Sequence, residues 1–188
     1  MKLPLILKSA WIDGHRLRLR DARPEDAPFI LSLRTEPARN RFMSPVSTQV
    51  ADQHAWLQRY AQGSGQAYFV IQPISGGDDL GTLRLYDAQG DSFSWGSWML
   101  KPGAPLSAAV ESALMAYHYA LGLGFRAAHF DVLEGNAGVR RFHENFGAVQ
   151  VGAHDGTAHY RIGYDAIRLS LDRYRRFLPA GIRVPGLS

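Results

Sequence analysis

The stretch Asn136–Ala148, NAGVRRFHENFGA, governs the reading of the whole chain. Val139, Phe142, His143 and Phe146 recur at helical spacing, and Gly147 falls where a helix ends on a left-handed residue. The spacing predicts an amphipathic helix punctuated at both ends. Asn136 stands at its start, where free backbone N–H groups and the positive end of the dipole favour a carbonyl or an anion. The same side chain can cap the helix by accepting the amide near Val139, so a structural and a ligand-binding role are open together. His143 falls two turns on, near the buried face.

Before this helix, AHFDVL (128–133) reads as a strand, and Ser107–Leu121 makes a long helix with Val110, Leu114, Tyr117 and Leu121 on one apolar stripe. Earlier still lie three strands, AYFVIQP (67–73), LGTLRLYD (80–87) and SFSWGSWML (92–100), the first two joined as a hairpin by SGGDD. Gly96, inside the third, predicts a bulge that resets the side each later residue faces. Leu17 and Leu19 alternate with Arg16, Arg18 and Arg20 as a half-buried strand. RPEDAPFILSLR (23–34) then forms a helix with Asp26 as N-cap and Pro28 at N2. EPARNRFMSPVS (36–47) reads as a loop or short turn over the surface. A second helix runs from a cap at Ser47 or Thr48 to Gln62, with Val50 and Leu57 on one stripe and Trp56 paired with Tyr60. After the Asn136 helix, AVQVG (148–152) and HYRIGYDAIRLSL (159–171) form a closing strand pair around the HDGT turn. Arg173–Phe177 gives a last helical turn, and LPAGIRVPGLS (178–188) a loose tail.

Composition bounds the function. The 188 residues, 46% hydrophobic, suit one domain with a substantial core rather than two. Without cysteine there are no disulfides, thiolate metal sites or cysteine nucleophile, so any thiol chemistry comes from a ligand. The net charge of +4 and pI near 9.6 fit an enzyme that handles an anionic cofactor or substrate better than a nucleic-acid binder. MKLPLILK is too short and too interrupted for a signal peptide, and no run approaches membrane-spanning length, so a cytoplasmic location is expected.

The order strand, two helices, three strands, helix, strand, helix, two strands resembles the GNAT superfamily of acetyl-CoA-dependent N-acyltransferases over roughly Leu17–Ser170. LRLRDARPEDAPFIL, GTLRLYD and NAGVRRFHENFGA are most similar to the branch of ribosomal-protein N-terminal and nucleotide-amino-sugar acetyltransferases. The resemblance implies an α/β fold over residues 1–188, its core about 15–178. Its central sheet is mixed, mostly antiparallel and twisted, with about seven strands, about four flanking helices and splayed central strands.

It also implies the chemistry. Acetyl-CoA is the co-substrate, no metal is needed, and acetyl passes directly to a primary amine. The amine belongs to a small molecule, with a lean toward a nucleotide-linked amino sugar, or to a protein N-terminus. No nucleic acid or membrane partner is expected, and a homodimer is compatible. Pantetheine would lie like an added strand along the backbone of Trp98, Met99 and Leu100. The pyrophosphate would meet N–H groups of Gly103, Ala104, Leu106, Ser107 and Ala108, with Asn136 a further contact. Here the chain departs from the family's Q/R-x-x-G-x-G/A, having Pro105, Ala108 and Val110 at the diagnostic positions. Weaker cofactor affinity, a different loop path and lost binding are all open. His143 holds the place of a tyrosine that protonates the departing thiolate, which makes a protonated His143 the expected catalytic acid. Phe42, Tyr86 and Trp95 are the candidate acceptor-binding aromatics. Asp131, Glu134 and Glu36 are candidate bases, none preferred.

Overall fold

The computed structural model describes residues 3–37 and 47–186. Eight strands form one sheet in the order β1-β2-β3-β4-β5-β6-β8-β7: β1 Trp11–Asp13, β2 Leu17–Asp21, β3 Ala67–Pro73, β4 Gly81–Gln89, β5 Ser92–Leu100, β6 Ala127–Leu133, β7 Val149–His154 and β8 Thr157–Gly163. Every pairing is antiparallel except β5 with β6. Five α-helices lie wholly within the described residues: α1 Ala27–Arg34, α2 Val50–Gln62, α3 Leu106–Gly122, α4 Ala137–Asn145 and α5 Tyr164–Arg173.

Strand alternation splits the apolar residues between two cores. Ala67, Phe69, Ile71, Leu83, Leu85, Phe93 and Phe130 point to the face covered by α3, where Leu114, Met115 and Tyr117 meet them. Tyr68 and Val70 point the other way and pack with Ile30 of α1 and Leu57 and Tyr60 of α2. Trp56 and Tyr60, one helical turn apart, stack with centroids 5.9 Å apart. The long helix is tied to the sheet by buried Glu111, whose Oε1 accepts the backbone amides of His15, Arg16 and Leu17 at 2.8, 2.7 and 3.0 Å.

Several boundaries differ from the sequence reading. Asp26 is the N-cap of α1 and Pro28 occupies its first turn, but a short 3-10 helix, Pro24–Asp26, comes first. Helix α2 is capped by Gln49 rather than Ser47 or Thr48, and Val50 is exposed. The run HYRIGYDAIRLSL is not one strand: β8 stops at Gly163, and Tyr164 starts α5, burying Ile167, Ser170 and Leu171 at helical spacing. The C-terminal run is not loose. Asp13 and Arg183 exchange both backbone hydrogen bonds, at 2.9 and 2.8 Å, and Leu178 is buried. β1 and α5 thus raise the expected element counts.

Helix α4 has the predicted ends. Gly147 adopts φ +90, its N–H reaches the Glu144 carbonyl at 2.9 Å, and the Ala148 N–H reaches that of His143 at 3.0 Å. This is a Schellman closure, which a side chain at position 147 would strain.

Candidate active site

The sheet opens at its centre. β5 and β6 pair only at Ser92↔Ala127 and Phe93↔Ala128, and beyond these the strands part. β5 stays zipped to β4 as far as Leu100, and β6 to β8 as far as Leu133. The opening is therefore a wedge between two well-supported strands. Beyond Phe93 the edge of β5 facing β6 has no strand partner among the described residues, and this edge includes the backbone of Trp98, Met99 and Leu100. Backbone amides and carbonyls left in this way require partners, and an extended amide-bearing chain supplies them.

A bulge sets what lines the wedge. Between the Thr82↔Met99 and Arg84↔Gly96 pairs, β5 carries one more residue than β4, and Ser97 takes φ +44. The extra residue brings Trp98 round to the same face as Trp95, their centroids 5.4 Å apart. Both rings meet His143 of α4, at 5.2 and 6.4 Å, while Phe130 of β6 lies 4.0 Å from it. His143 thus bridges the two parted strands from the α3 face.

Its environment is apolar. His143 is 5% exposed, and its Nδ1 has no hydrogen-bond partner among the described residues. Burial pushes its pKa down to about 3. Four aromatic neighbours and no carboxylate among the described residues give an imidazolium no charged partner, so burial favours the neutral ring over the protonated acid expected from the sequence.

The candidate phosphate loop lies between β5 and α3. Lys101–Ala104 is a tight turn with Gly103 at φ +80, closed by the Ala104 N–H on the Lys101 carbonyl at 3.2 Å. The Ala108 N–H donates to Pro105 at 2.9 Å. Two of the five expected donors are therefore already engaged. Gly103, Leu106 and Ser107 keep N–H groups that meet no backbone acceptor among the described residues, and α3 starts at Pro105 without a side-chain cap. Asn136 caps α4 as anticipated, its Oδ1 accepting the Val139 amide at 3.4 Å, and it is only half-buried.

The acceptor residues divide. Trp95 is 3% exposed and gives its indole N–H to the Tyr117 hydroxyl at 3.3 Å, so it belongs to the core. Tyr86 projects from the opposite face, so these two rings do not line one pocket. Phe42 lies outside the described residues. On the face of Tyr86, the Arg84 guanidinium sits 4.9 Å from the Tyr86 ring and 5.1 Å from Trp56. Asp131, consecutive with the inward Phe130 and Val132, also faces away from His143 and pairs with His159 Nδ1 at 2.6 Å. Glu134 is exposed and Glu36 half-buried, and neither has a side-chain ion pair among the described residues.

Arg84 and His159 were missed from the sequence. The available signal was alternation: Arg84 sits between inward Leu83 and Leu85, and His159 between inward Ala158 and Tyr160. That pattern reads equally as a solvated strand face, and only the neighbouring elements distinguish the two.

No described helix is long and apolar enough to cross a membrane, and no group of three or more potential metal ligands occurs among the described residues. No curated sequence matches the chain significantly. The chain is similar to the solved structure of apo FdhC, a nucleotide-linked sugar GNAT, with 32% identity over 88% of this chain and 97% of that one, at a TM-score of 0.78. It shares its fold with a GCN5-related N-acetyltransferase from Brucella melitensis at 17% identity, 95% and 90% coverage and a TM-score of 0.76. A spermidine N-acetyltransferase chimera from Vibrio cholerae and hSSAT aligns at 17% identity, 82% and 99% coverage and a TM-score of 0.70. A family model for the acetyltransferase (GNAT) domain matches residues 16–149, and with the parted strands this places the chain in the GNAT acetyltransferase family.

Proposed function

We propose that this chain transfers acetyl from acetyl-CoA to a primary amine by direct attack, and that the acceptor is a nucleotide-linked amino sugar. The observation that carries the transfer reading is the wedge. β5 and β6 separate after two residue pairs, leaving an edge of β5 that pantetheine amides can complete. The open N–H groups of Gly103, Leu106 and Ser107 stand where the chain leaves β5, as pyrophosphate donors should. The likeness to a nucleotide-linked sugar GNAT supports the choice of acceptor over a protein N-terminal amine.

The two faces of the wedge divide the proton traffic. The amine nitrogen forms its bond to the acetyl carbon as the carbon–sulfur bond breaks, and the nitrogen gives up a proton. On the open face, Asp131 holds the His159 Nδ1–H, which leaves Nε2 as the acceptor for that proton. On the closed face, neutral His143 borders the sulfur end of the wedge. The negative charge that develops on the departing sulfur raises the proton affinity of this ring, so His143 takes up one proton from solvent and passes it to the thiolate, while the proton taken from the amine leaves His159 for solvent. The reaction takes place in the cytoplasm, where acetyl-CoA is available.

Purified protein given acetyl-CoA and a nucleotide-linked amino sugar should release CoA. Acetyl-CoA at about 100 times its Kd should stabilise the fold by about 2.7 kcal/mol, read as a rise in thermal midpoint. No shift at millimolar acetyl-CoA and no CoA release would instead identify a non-catalytic binding module, the reading favoured by the glycine-poor loop at Pro105.

A further inference from the structure

A pocket lies on the side of the sheet that carries α1 and α2, next to the β5 bulge. It has a volume of about 140 Å³ and is lined by Arg34 of α1, Gln53 and Trp56 of α2, Tyr68 of β3, Arg84 of β4 and Ser97 of β5. At roughly 30 Å³ per water, this is room for a phosphate-sized group. Ser97 is the positive-φ residue of the β5 bulge, so the pocket opens where the strand edge reserved for the thioester begins.

Arg84 and Arg34 make the pocket cationic. Arg84 is half-buried, its Nε donates to the Gln66 amide oxygen at 2.8 Å, and it rests against the Trp56 and Tyr86 rings. No carboxylate pairs with it among the described residues. Removing a guanidinium from water without a counter-charge is unfavourable, and the like charge of Arg34 on the same pocket adds repulsion. Burial first, with that repulsion opposed by the nearby tyrosines, holds the Arg84 pKa below its ordinary value. A second observation points the same way. Tyr68 is 2% exposed, and its hydroxyl has no well-formed hydrogen bond among the described residues. Burial raises its pKa, so it remains a neutral O–H donor. The Arg84 guanidinium and the Tyr68 hydroxyl, with Arg34 beside them and a flat indole framing them, form a receptor for an anionic oxygen group.

We propose that this pocket binds an anionic oxygen group, phosphate or carboxylate, carried by the acceptor and held by Arg84, Arg34 and Tyr68. The anion anchors the acceptor on the open face and leaves its amine at the wedge. The anion site stands on its own geometry, whereas its attachment to the acceptor rests on the acetyl-transfer reading.

Two measurements on the full chain test it. In the first, inorganic phosphate is titrated against tryptophan fluorescence with chloride at matched ionic strength. Wild type should show a saturable change, because Trp56 covers Arg84. Trp56→Phe should lose that signal, and Arg84→Gln, folded by circular dichroism, should bind at least 10-fold more weakly. Equal phosphate binding in wild type and Arg84→Gln, or none in wild type, overturns the site. In the second, CoA release is followed with paired amines: glucosamine 6-phosphate against glucosamine, glycine against ethanolamine, and spermidine. The anion-bearing member should have the lower KM, and Arg84→Gln should raise that KM by about 100-fold while the KM for acetyl-CoA stays constant. A preference confined to the phosphorylated sugar identifies phosphate as the source, and one confined to glycine identifies carboxylate. A preference for spermidine or the neutral amines overturns the proposal. Saturable, Arg84-dependent phosphate binding with no CoA release from any amine leaves the anion site standing and removes the acetyl-transfer reading.

Discussion

Two histidines flank the parted strand β6, one on each face, and they are set up in opposite ways. His143 lies among four aromatic rings, 5% exposed, with no hydrogen bond to Nδ1 among the described residues. His159 is part-exposed and fixed by Asp131 at 2.6 Å. The difference follows from a single residue step along β6. Phe130 faces the core and packs against His143, while Asp131, next in sequence, faces outward and holds His159. Burial keeps the first ring neutral and packed; a carboxylate orients the second and fixes its tautomer. The position of a histidine in a motif therefore does not settle its protonation, which the neighbouring strand decides.

The comparison can be broken at either histidine. If the open face accepts the amine's proton, His159→Gln should lower kcat/KM by about 100-fold or more, and Asp131→Asn should follow it with a smaller loss. Wild-type rates in either variant would remove the pair from the mechanism. The thermal midpoint should hardly move, because the two side chains lie at the surface.

The closed face should respond in stability. His143→Ala removes a buried ring and should cost about 3 kcal/mol in denaturant unfolding. His143→Leu should keep most of that stability and separate packing from chemistry. A fully active Leu variant removes His143 from proton transfer. The pH sign is set by the lowered pKa. The unfolded chain takes up this proton near 6.5 and the folded chain only near 3, so the contribution is complete above about pH 6.5 and is lost as pH falls. Between these values wild-type stability should decline by up to about 1.4 kcal/mol per pH unit from this group, and His143→Leu should flatten that slope.

The smallest effect belongs to the helix that carries His143. Asn136→Ala removes the acceptor of the Val139 amide and should destabilise by about 1 kcal/mol. A much larger rise in the KM for acetyl-CoA than this loss explains would show that Asn136 also contacts pantetheine.

Periodicity made much of this architecture readable. Strands 67–73 and 92–100 were legible to the residue, as were the ends of α4 at Asn136 and Gly147, because alternation, helical spacing and a glycine in the left-handed region are local properties. The bulge was legible from Gly96 as well. The switch from β8 to α5 was not, since Ile162, Ile167 and Leu171 satisfy a strand and a helix pattern in turn and only packing on α3 decides where one ends. Nor was the anchoring of Arg183 to Asp13, a contact between chain ends.

The sequence by itself determined the order of elements, the caps of α4 and hence the GNAT family. Each depends on residues a few positions apart. Tertiary structure alone decided that His143 is neutral, that Trp95 belongs to the core and Tyr86 to the open face, and that Arg84 and Arg34 share one pocket. Charge state and pocket composition depend on which groups from distant segments exclude water together. That is a property of packing, and no spacing along the chain encodes it.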